Sequence, residues 1–187
     1  MNEVLKTIKE RSSIRAYTDE KLTKEEINAV ITAALQAPTA RNMQEVHVSV
    51  VDGDNPILKE IDTDRKIKML ASAPDEETKA KIESNPNNFN YNAPTVLILS
   101  ADKNFKWSKF DAGIATANMT LAAQSMGRGN HVIGKIYDAM YGDKKDYYAK
   151  ALDFPQNYEF AIAFAVGHKN AEKDPHEFDF DNSVSFI

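Results

Sequence analysis

Helical and strand-like hydrophobic patterns mix along this chain without strict alternation. Val4, Leu5 and Ile8 share one face of an opening helix, with Lys6, Lys9 and Glu10 turned away from it. Thr23-Lys24-Glu25-Glu26 is a capping box, and Ile27, Val30, Ile31, Ala34 and Leu35 follow at helical spacing until Pro38 stops the pattern. Val46-His47-Val48-Ser49-Val50-Val51 alternates as a strand, and Asp52-Gly53-Asp54-Asn55 turns the chain. Thr95-Val96-Leu97-Ile98-Leu99-Ser100 is a continuous apolar run, the signature of a central strand covered on both faces. The longest helical pattern runs from Phe110 to Gly127. Its many small residues allow close packing and place it centrally, at a subunit interface. Another helical stretch covers roughly Gly134 to Leu152 with a break near Gly142-Asp143, and Pro155 precedes a last strand from Tyr158 to Gly167.

Three stretches are less legible. Residues 56–88 combine a weakly amphipathic segment, a helix start at Ala73-Pro74-Asp75-Glu76-Glu77 and an Asn-rich end, a composition that suggests a flap. Gly127-Arg128-Gly129-Asn130-His131-Val132-Ile133-Gly134 is glycine-rich but follows a helix, so it is not a dinucleotide fingerprint. The tail ends in Val184-Ser185-Phe186-Ile187, strand-like and with nothing local to bury it, as expected of a strand added to another subunit's sheet edge. With no repeats, linkers or composition breaks, residues 1–187 read as one α+β domain, with helices around a mixed, mostly antiparallel sheet.

Composition narrows the chemistry. A net charge of −5 offers no electrostatic footprint for nucleic acid or an anionic membrane. The absence of cysteine excludes disulfides, thiol catalysis and cysteine-ligated clusters, so redox chemistry here needs a cofactor. The N-terminus lacks a signal-peptide core and no run reaches membrane-span length, so a cytoplasmic protein is expected.

Two stretches carry candidate binding chemistry. In Arg11-Ser12-Ser13-Ile14-Arg15-Ala16-Tyr17, two arginines four apart with hydroxyls between them suit a phosphate or the polar edge of a ring; a basic helix end with serines in a turn fits equally. Ala37-Pro38-Thr39-Ala40-Arg41-Asn42-Met43-Gln44 offers small residues and two amides suited to a planar polar group, and by composition is also an ordinary polar loop. His47, between valines, reads as structural. Phe89 and Tyr91, just before the central strand, are core or the wall of a flat ligand's site.

Together these motifs resemble the FMN-dependent nitroreductase family. The arginine-serine segment at 11–17 is similar to that family's N-terminal motif and the loop at 37–44 to its Ala-Pro-Ser-x-x-Asn-x-Gln loop. Asn92-Ala93-Pro94, Asp111-Ala112-Gly113 with Asn118-Met119, Gly127-Arg128-Gly129 with Ile133-Gly134, and Val166-Gly167 fall in the family's order. The resemblance implies a nitroreductase-like fold and a homodimer that exchanges its C-terminal strand and holds FMN at the subunit interface. Arg11, Ser12, Ser13 and Arg15 would come from one subunit, one arginine serving the phosphate and the other the N1/O2 edge of the flavin. Pro38, Thr39, Ala40, Asn42 and Gln44 would come from the partner. The backbone at Ile133 or Gly134 would face N5, and Lys169, Lys173 or His176 would meet the phosphate. The implied activity is NAD(P)H-dependent reduction of nitroaromatics, quinones or similar electron-poor small molecules by a ping-pong route. A non-catalytic flavin-binding module and a dimeric scaffold are the alternatives. Glu45-Val46 stands where the family often has proline-tryptophan, and Arg128 where leucine is usual.

Overall fold

The computed structural model describes residues 1–187. Its elements, in order, are α1 (Glu3–Glu10), α2 (Lys24–Leu35), a 3-10 turn (Ala40–Asn42), β1 (Val46–Asp52), α3 (Pro56–Ala71), α4 (Glu76–Ser84), β2 (Thr95–Asp102), α5 (Ser108–Ser125), β3 (Gly129–Ile133), α6 (Tyr137–Met140), α7 (Lys145–Ala151), β4 (Tyr158–Gly167) and α8 (Phe180–Ser183). The strands form one sheet in the order β1-β2-β4-β3. Every pairing is antiparallel, so the expected mixed sheet is wholly antiparallel.

The continuous apolar run in β2 follows from the position of that strand. Val96 and Ile98 point into a core with Ile57, Leu58 and Ile61 of α3, Phe89, Ile136 and Tyr148. Their neighbours Leu97 and Leu99 point into a second core with Val30 and Ala34 of α2, Ala115, Met119 and Ala123 of α5, and Phe164. Successive side chains alternate between two covered faces, so neither face needs a polar residue.

Helix ends are set as the residues dictate. Both arms of the capping box close at α2: the Thr23 side chain accepts the Glu26 N–H at 3.2 Å, and Glu26 Oε2 accepts the Thr23 N–H at 2.8 Å. α5 ends in a Schellman motif, with Gly127 at φ 71. The Arg128 N–H donates to the Ala123 carbonyl and the Gly127 N–H to the Gln124 carbonyl, each at 2.9 Å. That reversal feeds β3, a strand lying within the glycine-rich segment.

One expectation changes. The first half of the supposed flap is helix α3, which buries Ile57, Leu58, Ile61, Asp62 and Arg65 against the sheet, whereas α4 buries nothing. Val184–Ile187 pairs with no strand of its own chain; the short helix α8 precedes it and the apolar end is exposed. α1 is unusual in the same way: it has no buried residue, and its stripe of Val4, Leu5 and Ile8 is 63%, 52% and 51% exposed.

Candidate functional site

The segment 11–17 leaves α1 at Arg11 and is laid along the sheet edge by alternate anchors. Ser12, Ile14 and Tyr17 are buried, while Ser13 and Arg15 face outward. The Ile14 N–H donates to the Asn130 carbonyl of β3 at 2.9 Å. Tyr17 donates its hydroxyl proton to the Ile14 carbonyl at 2.7 Å and lies 2.8 Å from His131 Nδ1, which is therefore the donor of that second contact. On the other side, the Thr18 N–H donates to the His168 carbonyl and the Asn170 N–H to the Ala16 carbonyl, both at 3.0 Å. Gly129 permits this approach: a Cβ there would sit 2.9 Å from Ile14 and 3.1 Å from Lys169.

Of the residues expected at the flavin's ring and phosphate, only part meets at one cleft, and Arg11, Ser12, Ser13 and Lys169 do not line it. Arg15, Ile133 and Gly134 line one cleft of about 190 Å³ with Tyr91, His131, Val132 and Lys135. Lys169 lies beside Tyr17 across an isolated bridge. Lys173 and His176 are exposed in the tail, so Lys169 is the tail candidate that the fold carries to the arginine segment.

The electrostatics of the cleft are one-sided. Arg65 and Arg128 are held by Asp62 and Glu26, but Arg11 and Arg15 take part in no ion pair. Burial pushes the Arg11 guanidinium below its ordinary value. Burial first, then Arg15 and Lys135, push His131 down to about 4, so its imidazole is neutral at physiological pH. Lys135 Nζ sits 4.1 Å from the Tyr91 ring centroid and the Arg15 guanidinium carbon 6.0 Å from it. Where β3 ends, the Gly134 and Lys135 N–H groups make no backbone hydrogen bond. Unpaired cations beside free backbone donors suit an anionic, hydrogen-bond-accepting group.

Tyr91 is presented by a strained turn, with φ 52 at Tyr91 and 55 at Asn92. The turn is pinned from two sides. Asn88 and Asn92 exchange hydrogen bonds of 2.6 and 3.0 Å, and the Phe89 N–H donates to Asp62 Oδ1 at 2.9 Å. Of the two aromatics left open by the sequence, Phe89 is core and Tyr91 walls the cleft. Lys135 and His131 carried no sequence signal for the site; His131 lies inside the glycine-rich segment.

The second half of the expected site stands apart. None of residues 38–44 lines the cleft. Three non-glycine residues of that loop take left-handed backbone, Arg41 at φ 57, Asn42 at 55 and Gln44 at 52. The loop is held by the Gln44 N–H to Thr39 Oγ1 at 3.0 Å, Gln44 Nε2 to Asn42 Oδ1 at 3.4 Å, and the Ala40 N–H to Asp111 Oδ2 of α5 at 2.9 Å. Pro38, Asn42 and Gln44 are exposed. Arg128, the departure in the glycine turn, points away from the cleft: its Nε and Nη2 reach Glu26 Oε1 at 2.6 and 2.5 Å.

Comparison with known proteins identifies the family of this fold. The Nitroreductase family model matches residues 8–168. A nitroreductase with bound FMN from Desulfitobacterium hafniense DCB-2 is 30% identical, with a TM-score of 0.88 over 100% of this chain and 99% of that one. A second nitroreductase with bound FMN, from Bacteroides fragilis NCTC 9343, is 26% identical at a TM-score of 0.85, with 100% of each chain covered. The FMN reductase (NADPH) of Bacillus subtilis strain 168 is 29% identical over 182 residues, which are 90% of this chain and 66% of that enzyme. From its first arginine segment to the end of its last strand, the chain belongs to the Nitroreductase family.

Proposed function

We propose that this protein is an FMN-dependent NAD(P)H oxidoreductase of the cytoplasm that reduces nitroaromatics, quinones or similar electron-poor small molecules. The observation that carries this reading is the cleft itself, where unpaired cations and free backbone N–H groups converge on one anchored segment. These residues fit FMN, whose groups are a dianionic phosphate and a ring edge rich in acceptors. The flavin supplies the chemistry, taking hydride from NAD(P)H and passing it to the acceptor. Arg11 and Lys169 hold the phosphate, with Ser12 and Ser13 donating to it. Arg15 would stabilise negative charge at the N1/O2 edge, and the free Gly134 N–H would donate toward N5.

Because the 38–44 loop does not reach the cleft of its own chain, Pro38, Thr39, Ala40, Asn42 and Gln44 are assigned to the partner's flavin, in a homodimer of single-domain 187-residue chains. The exposed apolar stripe of α1 and the exposed Phe110 and Ile114 of α5 supply a surface for that association. Purified protein is expected to be yellow, to bleach with NADH or NADPH, and to regain colour when an acceptor is added after the nucleotide is removed. Steady-state double-reciprocal lines should then be parallel. Colourless protein that refuses added FMN, or yellow protein inert to both nucleotides, would overturn the proposal.

The tail gives a separate expectation. Deleting residues 178–187 removes the exposed Phe178, Phe180, Val184, Phe186 and Ile187. If they dock on the partner, the truncated protein loses dimer and FMN together, measured by light scattering and flavin fluorescence on one sample. A truncated dimer with its flavin intact would end the role given to the tail.

A further inference from the structure

Arg15 and the free Gly134 N–H are matched to flavin groups in the reading above, whereas the Lys135 ammonium and the Tyr91 ring of the same cleft are matched to none. Lys135 is exposed, directly follows Gly134, and takes part in no ion pair. Its Nζ lies over the face of the Tyr91 ring, 4.1 Å from the centroid. Asp62, which anchors the same turn, is engaged elsewhere: its Oδ1 accepts from Arg65 Nε and from the Phe89 N–H, each at 2.9 Å.

The ring itself is fixed. The buried His131 ring meets it edge-on, with centroids 5.3 Å apart and planes at 75°, and the Asn88–Asn92 contacts hold the left-handed backbone at Tyr91 and Asn92. A flat wall that cannot turn away, with an unpaired cation over its face, fits a ligand that is itself flat and anionic. A compact anion makes no use of the ring, and an uncharged ring makes none of the lysine. The ammonium–ring contact is weaker than an ammonium–carboxylate hydrogen bond, so an arriving carboxylate draws Nζ to itself without breaking a stronger pair.

We propose that Lys135 and Tyr91 select the electron acceptor, favouring aromatic compounds that carry a carboxylate or sulfonate over their uncharged analogues. The acceptor's ring lies against Tyr91, and its anionic group takes the Lys135 ammonium. This rests on the reading above, in which the same cleft receives flavin. Neither residue takes part in electron transfer; both act on how tightly the acceptor is held.

The test compares 4-nitrobenzoate with 4-nitrobenzamide as acceptors of the holoenzyme, a pair alike in size and different in charge, and benzoate with benzamide as ligands of the oxidised holoenzyme by calorimetry. The ratio of kcat/KM for 4-nitrobenzoate to that for 4-nitrobenzamide should be about tenfold higher in the native protein than in Lys135→Gln, with the change in KM rather than kcat. The affinity for benzoate relative to benzamide should differ by the same factor. Lys135→Glu should lower both ratios further, Lys135→Arg should keep the native ones, and added salt should narrow the native ratios toward those of Lys135→Gln. Equal ratios in the native protein and Lys135→Gln overturn the proposal. So does a Lys135→Gln variant that loses FMN, which would give the lysine to the cofactor. FMN content, read from the absorbance of each sample, tells the failures apart: yellow native protein with the ratios of Lys135→Gln ends the selecting role alone, whereas native protein that refuses FMN ends the reading on which that role rests.

Discussion

Replacing Arg11 or Arg15 by alanine should weaken FMN binding ten- to a hundredfold while leaving the fold intact. Each guanidinium would make a charge-assisted contact, of the order of 1.5 to 3 kcal/mol, that alanine cannot replace. The fold should survive because neither arginine is in an ion pair, so no buried carboxylate is left exposed to its own charge. Arg65→Ala is the informative contrast: it strips the buried Asp62 of its closest cation, leaving only Lys66 at 3.8 Å, and should lower stability instead, through the turn that Asp62 anchors at Phe89. Fluorescence titration with FMN separates the two. Unchanged affinity in both Arg11→Ala and Arg15→Ala would show that the segment does not hold the cofactor.

The largest stability effect should come from Phe164→Ala. Phe164 is fully buried in β4, opposite Leu97 of β2 on one side and Val132 of β3 on the other. It fills the core beneath α2 and α5. Loss of the ring removes both its transfer free energy and the contacts of a site that two sheet neighbours keep from collapsing, about 3–5 kcal/mol. Urea unfolding at fixed protein concentration should show a lower midpoint with an unchanged slope. A cost below about 1 kcal/mol would mean that the core relaxes around the cavity in a way the sheet register does not suggest.

Most of the fold was legible where one physical cause dominated. Thr23 and Glu26 announced α2, the two covered faces of β2 explain its uninterrupted apolar run, and the last strand matched its observed limits. β3 was hidden because polar residues occupy core positions in it. Asn130 and His131 are buried, and their partners Ile14 and Tyr17 are distant in sequence. α3 was blurred in a similar way, since its inner face contains the Asp62–Arg65 ion pair, which a hydrophobic pattern counts as surface. Family order placed the arginine segment, but Tyr91 and Lys135 reach the cleft through a turn and a strand end that only the assembled sheet brings together.

The fastenings of α2 to its surroundings limit how this chain can change in length. The helix is tied near its start by Glu26 to Arg128, near its end by the Ala33 carbonyl to Asn118 Nδ2 at 3.1 Å, and just past its end by Ala40 to Asp111. One residue inserted between the first and second ties would advance everything beyond it by about 1.5 Å and rotate it by about 100°. No tie could then be kept without giving up another. Substitutions on the outer face of α2 are tolerable, but insertions and deletions within it are not, and the spacing between Thr23 and Ala40 becomes a fixed measure of where the 38–44 loop is delivered.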